Sequence, residues 1–587
     1  MKEKKDKQKP AGGEYMLSGS LGEGLMTTPK DEIARSAAET TLALNPLMGG
    51  INREELLGAV AMMLRSTMTN PITSAKSASK IAKENAAILL GKSQRKADPR
   101  DRRFRDPAWE HNPFYRRGMQ AYLATQEHLN AWVADLKMTE LEHARAKFVM
   151  GMITDALAPT NSLIGNPAAT KRVVDSGGLS LLKGLKNAYN DLTKNGGMPS
   201  QVDKRPFKVG KNLAVSEGQV IWKNEMLELI QYAPTTEKVH RTPILIIPPQ
   251  INKYYAMDLS PVTSMVQFLL AMEQQTFVVS WRNPKRENAN WGMQDYVDSL
   301  IQASEVVRQV TKSKKINVSG ACSGGITTAT LASLFAAAGD DRINSITFMV
   351  CVLNPQKEDS ELGQIVSDGS LEIARAYSKK KGILKGDDLA RMFAWMRPND
   401  LIWNYVVNNY LMGEDPAPFD VLYWNNDSTN LPAQLHSDYL DMGLNQPFDH
   451  PGEFEVAGHM LDMSKVKADA FIVAGLTDHI TPWKACYRTA GLLGSKNIEF
   501  ILSSSGHIQS LLNPPGNPKA KMFRNSTIAP TADEWAAGAT EEAGSWWLVW
   551  GEWLKARSGT VKTAPKTCGN EAFQPLYPAP GRYVFDE

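Results

Sequence analysis

Gly320-Ala321-Cys322-Ser323-Gly324-Gly325 lies between a short apolar run, Ile316-Asn317-Val318-Ser319, and an Ala/Thr-rich stretch from Ile326 to Gly339 with helical character. Strand, glycine-flanked turn and helix are the setting of a nucleophile elbow, in which small neighbours let the backbone bend sharply and lift one side chain clear of the sheet. Here the lifted group is a thiol. A G-x-C-x-G pentapeptide alone marks only a turn, so its meaning depends on the residues further along the chain.

Two later segments supply that meaning. After Phe471-Ile472-Val473 comes Ala474-Gly475-Leu476-Thr477-Asp478-His479-Ile480-Thr481-Pro482-Trp483, and after Phe500-Ile501-Leu502 comes Ser503-Ser504-Ser505-Gly506-His507-Ile508. Nucleophile, acid and histidine thus occur in the chain order of α/β-hydrolases, each at the carboxyl end of a strand. Ile244-Leu245-Ile246-Ile247, Phe277-Val278-Val279 and Ile346-Thr347-Phe348-Met349-Val350 are further apolar runs separated by helical stretches. Continuous apolar strands alternating with helices predict an α/β-hydrolase fold, a mostly parallel sheet covered on both faces. Ligands of such sheets sit beyond the carboxyl ends of the strands.

The composition changes near Asn195-Gly196-Gly197-Met198-Pro199-Ser200. This suggests a polar, disordered tail over 1–35, a mainly helical domain over 36–200 and a catalytic domain over 201–587. Residues 354–465, rich in Trp, Tyr, Asn and Met, are too long for a connection and read as a cap insertion. Helical periodicity places Leu56, Leu57, Val60 and Leu64 on one face, continues near Ser77 to Leu90, and aligns Trp546, Trp550 and Trp553 on a final helix. These faces read as packing surfaces.

The residue types assign roles. A thiol needs a base to attack, and His507 is placed to take the proton of Cys322. The N-terminus of the helix after Ser323 favours negative charge on the sulfur. Asp478 would fix the tautomer of His507 and stabilise its imidazolium. His479 would have to fold back on its own neighbour to do the same work and reads as structural. Cys351, Cys486 and Cys568 read as core residues. For the oxyanion hole one donor is the Ser323 N–H. The second would come from Pro248-Pro249-Gln250-Ile251-Asn252-Lys253-Tyr254-Tyr255, where the prolines have no N–H and Gln250 or Ile251 remain. On this reading the rate falls on acidification as His507 protonates. Sulfur suits a thioester, because thiol-for-thiol exchange is nearly energy-neutral and later transfer to a hydroxyl runs downhill.

Bulk properties narrow the setting. The 587 residues carry 66 basic and 63 acidic side chains, a net charge of +3, so no strong field draws in a polyanion. The basic run Lys92 to Arg105 lacks any nucleic-acid signature, and no nucleic-acid partner is expected. No run approaches the roughly 20 apolar residues of a membrane span, and no apolar stretch comes after Met1-Lys2-Glu3-Lys4-Lys5. The cysteines show no metal spacing, so no metal and a cytoplasmic location are expected.

The chain resembles the polyhydroxyalkanoate synthases from roughly residue 45 to 555. The resemblance rests on the segment Pro248 to Tyr255, Val279-Ser280-Trp281-Arg282-Asn283-Pro284, the cysteine elbow, and Trp424-Asn425-Asn426-Asp427-Ser428-Thr429-Asn430-Leu431-Pro432. It extends through the acid loop to Gly506-His507-Ile508-Gln509-Ser510 and Asn513-Pro514-Pro515-Gly516-Asn517-Pro518, and includes Asp106-Pro107-Ala108-Trp109 in the helical part. The resemblance implies that a 3-hydroxyacyl-CoA acylates Cys322 with release of coenzyme A. It implies that His507 activates the thiol, and that Asp478 assists the attacking hydroxyl directly or through His507, so that repetition lengthens a polyester. The wording Ser505 to Asn513 is more similar to the medium-chain (class II) type. The likeness further implies a homodimer, residence on cytoplasmic polymer granules, and no cofactor, coenzyme A being part of the substrate. The polar N-terminus and the last thirty residues depart from the family. An acyl hydrolase (thioesterase, lipase or polymer depolymerase) on the same fold is the alternative, and a granule-coat protein without activity a more remote one.

Overall fold

The computed structural model describes residues 61–63, 65–359 and 368–587. The tail over 1–35 and most of the helix carrying Leu56, Leu57, Val60 and Leu64 lie outside the described residues.

Eleven strands form one sheet: β1 (Gly218–Lys223), β2 (Leu227–Tyr232), β3 (Ile244–Ile247), β4 (Thr276–Trp281), β5 (Ile316–Ala321), β6 (Ile343–Met349), β7 (Asp469–Gly475), β8 (Ile498–Ser503), β9 (Lys521–Arg524), β10 (Thr540–Ala543) and β11 (Tyr577–Pro578). Their spatial order is β10-β9-β8-β7-β6-β5-β3-β4-β2-β1-β11. The six central strands, β8 to β4 in that order, are parallel, and antiparallel strands extend both edges. The expected mostly parallel architecture is present.

Burial on both faces explains the unbroken apolar runs. Leu245, Ile247, Phe277 and Val279 point into one core, shared with the helices Met293–Thr311 and Ser323–Ala337. Ile244, Ile246 and Val278 point into a second core, shared with Met265–Ala271 and Trp546–Lys555. Register carries the reactive segments to one edge. Ala321 pairs with Met349, Phe348 pairs with Ile472, and Gly475 pairs with Ser503, so β5, β7 and β8 end at the same edge of the sheet, with β6 between β5 and β7.

The chain before the sheet is helical: Pro71–Leu89, Pro113–Asp135, Glu140–Ala156, Pro167–Asp175 and Leu179–Lys194. The first begins earlier than the periodicity near Ser77 indicates, because Pro71 suits the opening turn, where its missing N–H is no loss. Three residues of the basic run are held in intramolecular pairs. Arg95 meets Glu84 and Glu127, Arg100 meets Asp98, and Arg103 meets Asp101 and Asp155.

Between β6 and β7 the insertion contains helices Asp368–Lys381, Gly386–Met396 and Ala433–Asn445. Hydrogen bonds tie it to the segment after β3. The Thr429 N–H donates to Ile251 O (2.9 Å), Trp424 Nε1 to Lys253 O (2.7 Å), Tyr255 Oη to Asp427 Oδ2 (2.8 Å) and Asn252 Nδ2 to Asn425 O (3.2 Å). Among the described residues, no helix is long and apolar enough to cross a membrane.

Candidate active site

Cys322 is held at φ 50° and ψ −122°, between β5 and the helix Ser323–Ala337. A non-glycine residue there carries strain of about 1–3 kcal/mol, which the surroundings must impose. They do so by close approach. A Cβ on Gly320 would lie 2.3 Å from Thr328 Oγ1, and one on Gly324 would lie 2.3 Å from Ile247 O. The Cys322 N–H donates to Met349 O (2.9 Å), fixing the turn to the neighbouring strand. The thiol stands above the strand ends, but it is only 9 % exposed, enclosed rather than open to solvent.

His507 opens the short helix His507–Leu511 after β8 and is buried. Its Nδ1 lies 2.6 Å from Asp478 Oδ2, and its side chain also hydrogen-bonds Cys322. With Nδ1 engaged by the carboxylate, Nε2 is the nitrogen left for the sulfur. Burial alone would lower the imidazole pKa. The Asp478 charge and hydrogen bond, together with Cys322, outweigh it and raise His507 to about 10. This revises the expectation of an acid loss of rate through His507, because the ring keeps its proton across the neutral range.

Asp478 lies just beyond β7 and is fully enclosed. Desolvation would raise its pKa, but the imidazolium and the Thr481 hydrogen bonds hold it below the usual carboxylate range. Its Oδ1 accepts from the N–H groups of Ile480 (2.8 Å) and Thr481 (3.0 Å), an Asx-type turn. The Thr481 hydroxyl donates to Asp478 Oδ2 (2.6 Å) and lies 3.0 Å from His507 Nδ1. Thr481 therefore braces acid and imidazole together. Sequence reasoning passed over it, although Asp-x-x-Thr after a strand is a local signal for such a turn. The ring in contact with Asp478 is that of His507, while His479 sits half-buried beside it.

At the mouth of β3 the Gln250 N–H donates to Ser323 Oγ (3.1 Å). Ile251 is buried beside it, and its N–H donates to no acceptor among the described residues. The Gln250 side chain spans from Thr327 Oγ1 (2.8 Å) to the Tyr439 hydroxyl (2.9 Å) on the insertion. This network was not legible in the sequence, since it joins three distant segments. Cys351 and Cys486 are buried in the core on the elbow's side of the sheet, and burial raises both thiols well above the usual range. Cys568 is also buried, 3.5 Å from Gln231 O. No group of three or more His, Cys, Asp or Glu side chains is gathered to hold a metal among the described residues.

Residues 100–269 match the model of the poly-beta-hydroxybutyrate polymerase N-terminus, and residues 243–514 that of the alpha/beta hydrolase fold. The chain is 48 % identical to poly(3-hydroxyalkanoate) polymerase 1 of Ectopseudomonas oleovorans over 95 % of this chain and 99 % of that one. The chain belongs to the poly(3-hydroxyalkanoate) polymerase family. Polymerase 2 of the same organism is 44 % identical over 93 % of this chain and 97 % of that one. The polymerase subunit of Cupriavidus necator is 38 % identical over 85 % of each chain. As a member of the poly(3-hydroxyalkanoate) polymerases the protein is an acyltransferase, built on an α/β-hydrolase fold.

Proposed function

We propose that this polymerase joins 3-hydroxyacyl units, delivered as coenzyme A thioesters, into polyester through an acyl-enzyme on Cys322. The hydrogen-bonded line from Cys322 through His507 to Asp478, enclosed above the carboxyl ends of β5, β7 and β8, is the observation that carries this reading. The Cys322 thiolate attacks the thioester carbonyl, whose oxygen becomes negative beside the N–H groups of Ser323 and Ile251. As the carbonyl re-forms, the bond to the coenzyme A sulfur breaks, and the departing thiolate takes the proton of His507. The neutral ring, held by Asp478, then accepts the proton of the next hydroxyl as that oxygen attacks the acyl-cysteine. The ester forms, the Cys322 thiolate departs, and His507 is again an imidazolium. Protons balance over the cycle, and no cofactor is required.

The greater identity to the two Ectopseudomonas oleovorans polymerases, together with the wording Ser505 to Asn513, supports a medium-chain substrate. The protein works as a homodimer at the surface of cytoplasmic polyester granules. Enclosure of the thiol favours transfer over hydrolysis by keeping water from the acyl-enzyme. The test supplies a ten-carbon and a four-carbon 3-hydroxyacyl-CoA and tracks coenzyme A and acyl product together. Polyester with faster coenzyme A release from the longer substrate is expected, and Cys322→Ala abolishes release while keeping the fold. Free hydroxy acid as the main product would make the protein a hydrolase.

A further inference from the structure

Gln250 is buried, and each of its polar atoms has a partner. Two partners belong to the helix that follows Cys322. The Gln250 N–H donates to Ser323 Oγ (3.1 Å) and Nε2 to Thr327 Oγ1 (2.8 Å). The other two belong to the insertion. The Thr429 hydroxyl donates to Gln250 O (2.5 Å), and the Tyr439 hydroxyl donates to Gln250 Oε1 (2.9 Å). Both of these side chains are buried as well. The Thr429 N–H also donates to Ile251 O (2.9 Å), so one residue of the insertion holds two successive carbonyls of the segment after β3. Its own position is fixed independently. The next residue, Asn430, receives its hold from the end of β4, its N–H donating to Asn283 Oδ1 (2.9 Å) and its Nδ2 to Pro284 O (3.0 Å).

We propose that Thr429 is a positioning residue that aims the Ile251 N–H at the oxyanion, with Tyr439 steadying Gln250 from its side-chain end. The inference rests on the acyl-enzyme proposed for Cys322 and deepens it by naming what holds the second oxyanion donor. The peptide between Gln250 and Ile251 is trans, so its C=O and N–H point to opposite sides of one plane. A hydroxyl fixed on Gln250 O therefore fixes the direction of the Ile251 N–H, which leads away from Thr429. The chain before that peptide has little freedom. Pro248 and Pro249 have restricted φ, and a Cβ on Gly324 would lie 2.3 Å from Ile247 O and 2.5 Å from Pro248 O. What remains is the tilt of the Gln250–Ile251 peptide, and the Thr429 hydroxyl holds it. The backbone bond from Thr429 to Ile251 O already ties the insertion down, which leaves the hydroxyl to set direction. A donor stabilises developing charge only where it is aimed before the reaction begins. The carbonyl-activating site is thus built from the sheet and the insertion together.

The experiment compares Thr429→Val, Thr429→Ser and Tyr439→Phe in the full chain by two rates. One is coenzyme A release from the ten-carbon 3-hydroxyacyl-CoA, whose transition state carries the oxyanion. The other is alkylation of Cys322 by iodoacetamide, read by mass on the peptide that contains it, which needs the thiolate and forms no oxyanion. Thr429→Val should lower kcat about 10- to 100-fold with KM within about twofold, a share of what removing a whole oxyanion donor costs. Thr429→Ser keeps the hydroxyl and should stay within about threefold of the parent, and Tyr439→Phe should lower kcat about 3- to 10-fold. Alkylation should match the parent in all three. Unchanged kcat in Thr429→Val overturns the proposal. So does an equal loss of both rates, which would put the damage at Cys322 or in the fold at large. If Thr429→Val does not fold, Tyr439→Phe decides on the same pair of rates: a fall in kcat alone supports the proposal, and a fall in both or in neither overturns it. A failure of the polymerase reading appears separately, as free hydroxy acid in place of polyester from the parent chain. Both rates stay readable in that case, because hydrolysis passes through the same oxyanion.

Discussion

At the scale of single residues, the proton on His507 has consequences that can be signed. Its pKa is raised from an ordinary 6.5 to about 10. The stabilisation this represents is complete below pH 6.5 and is lost as pH rises through about 10. Asp478 is depressed, so its share is complete above its ordinary value of 3.8 and disappears as pH falls through the lowered folded value. Both act together between about pH 4 and 6.5. His507→Gln should therefore cost most stability in that window, on the order of 3 kcal/mol for breaking a buried pair, and progressively less toward pH 10. Denaturant unfolding of both proteins at pH 6 and pH 10 checks this, and an unchanged difference would refute the ion pair. In the proposed mechanism activity depends on the same proton. Coenzyme A release should show no titration near 6.5 and should decline above about pH 10, where the ring has no proton to give. Thr481→Val tests the brace. It leaves Asp478 and His507 in place but removes a hydroxyl bound to a charged carboxylate, worth about 10- to 100-fold in kcat with KM little changed. The alkaline limb should also move to lower pH as the imidazolium is held less firmly.

Elements decide whether those residues meet. The helix Trp546–Lys555 does more than fill the core with rings. Trp546 Nε1 donates to Ser510 O (2.6 Å) and Trp547 Nε1 to Leu511 O (3.2 Å), satisfying two carbonyls of the short helix that begins with His507. A helix of one turn leaves its last carbonyls unpaired, so these indoles set where it ends and how its first residue is aimed. Trp546→Phe keeps the packing volume and removes one donor. It should cost about 1–3 kcal/mol in unfolding and lower kcat more than it raises KM, because the imidazole is misaligned while the substrate surface is untouched. Trp550→Ala, which empties a fully buried site, should cost about 3–5 kcal/mol. Sequence patterns disclosed part of this arrangement and concealed the rest for a definite reason. The elbow at Cys322 and the segments bearing Asp478 and His507 were legible because strand, glycine turn and helix are local, and their order is fixed by the chain. The spacing of Trp546, Trp550 and Trp553 likewise gave a buried face. Periodicity says which side of a helix is apolar, however, and not what covers it. The helix Leu179–Lys194 reverses the usual rule, with Ser180, Gly184 and Asp191 buried and Leu182 and Leu185 exposed. The indole donors, the Gln250 bridge and the alignment by Thr481 arise only where distant segments meet.

Across the whole molecule, the last residues close onto the segment that carries Ile251. The carboxyl group of Glu228, wholly buried on β2, accepts from the Tyr577 hydroxyl (2.5 Å) and from the N–H groups of Arg582 (2.9 Å) and Tyr583 (3.0 Å). Beyond this anchor the tail crosses to the mouth of the sheet. Tyr254 Oη donates to Pro580 O (3.3 Å), Lys253 Nζ to Asp586 O (2.5 Å), and Arg282 pairs with Asp586 Oδ2 (3.2 Å). Burial pushes the Lys253 ammonium below its usual range, and Asp427, Asp586 and Glu587 oppose that shift. The segment from Pro248 to Tyr255 is thus gripped from two sides, by the insertion through Thr429 and Trp424 and by the tail through Lys253 and Tyr254. Deleting residues 577–587 should have two separable effects. Glu228 loses its three donors and β1 its edge partner, so unfolding should become easier by on the order of 3 kcal/mol. Lys253 loses its carbonyl and two of its three opposing carboxylates, which loosens the segment presenting the Ile251 N–H. Tyr577→Phe separates the two, since it removes one donor to Glu228 and leaves the contacts at Lys253 intact. It should lower the melting temperature without lowering kcat, whereas the deletion should lower both. Equal loss of kcat in the two variants would mean that general stability, and not the grip on Lys253, governs turnover. Unchanged kcat in the deletion would leave the insertion alone holding the segment that carries Ile251, the proposed second oxyanion donor.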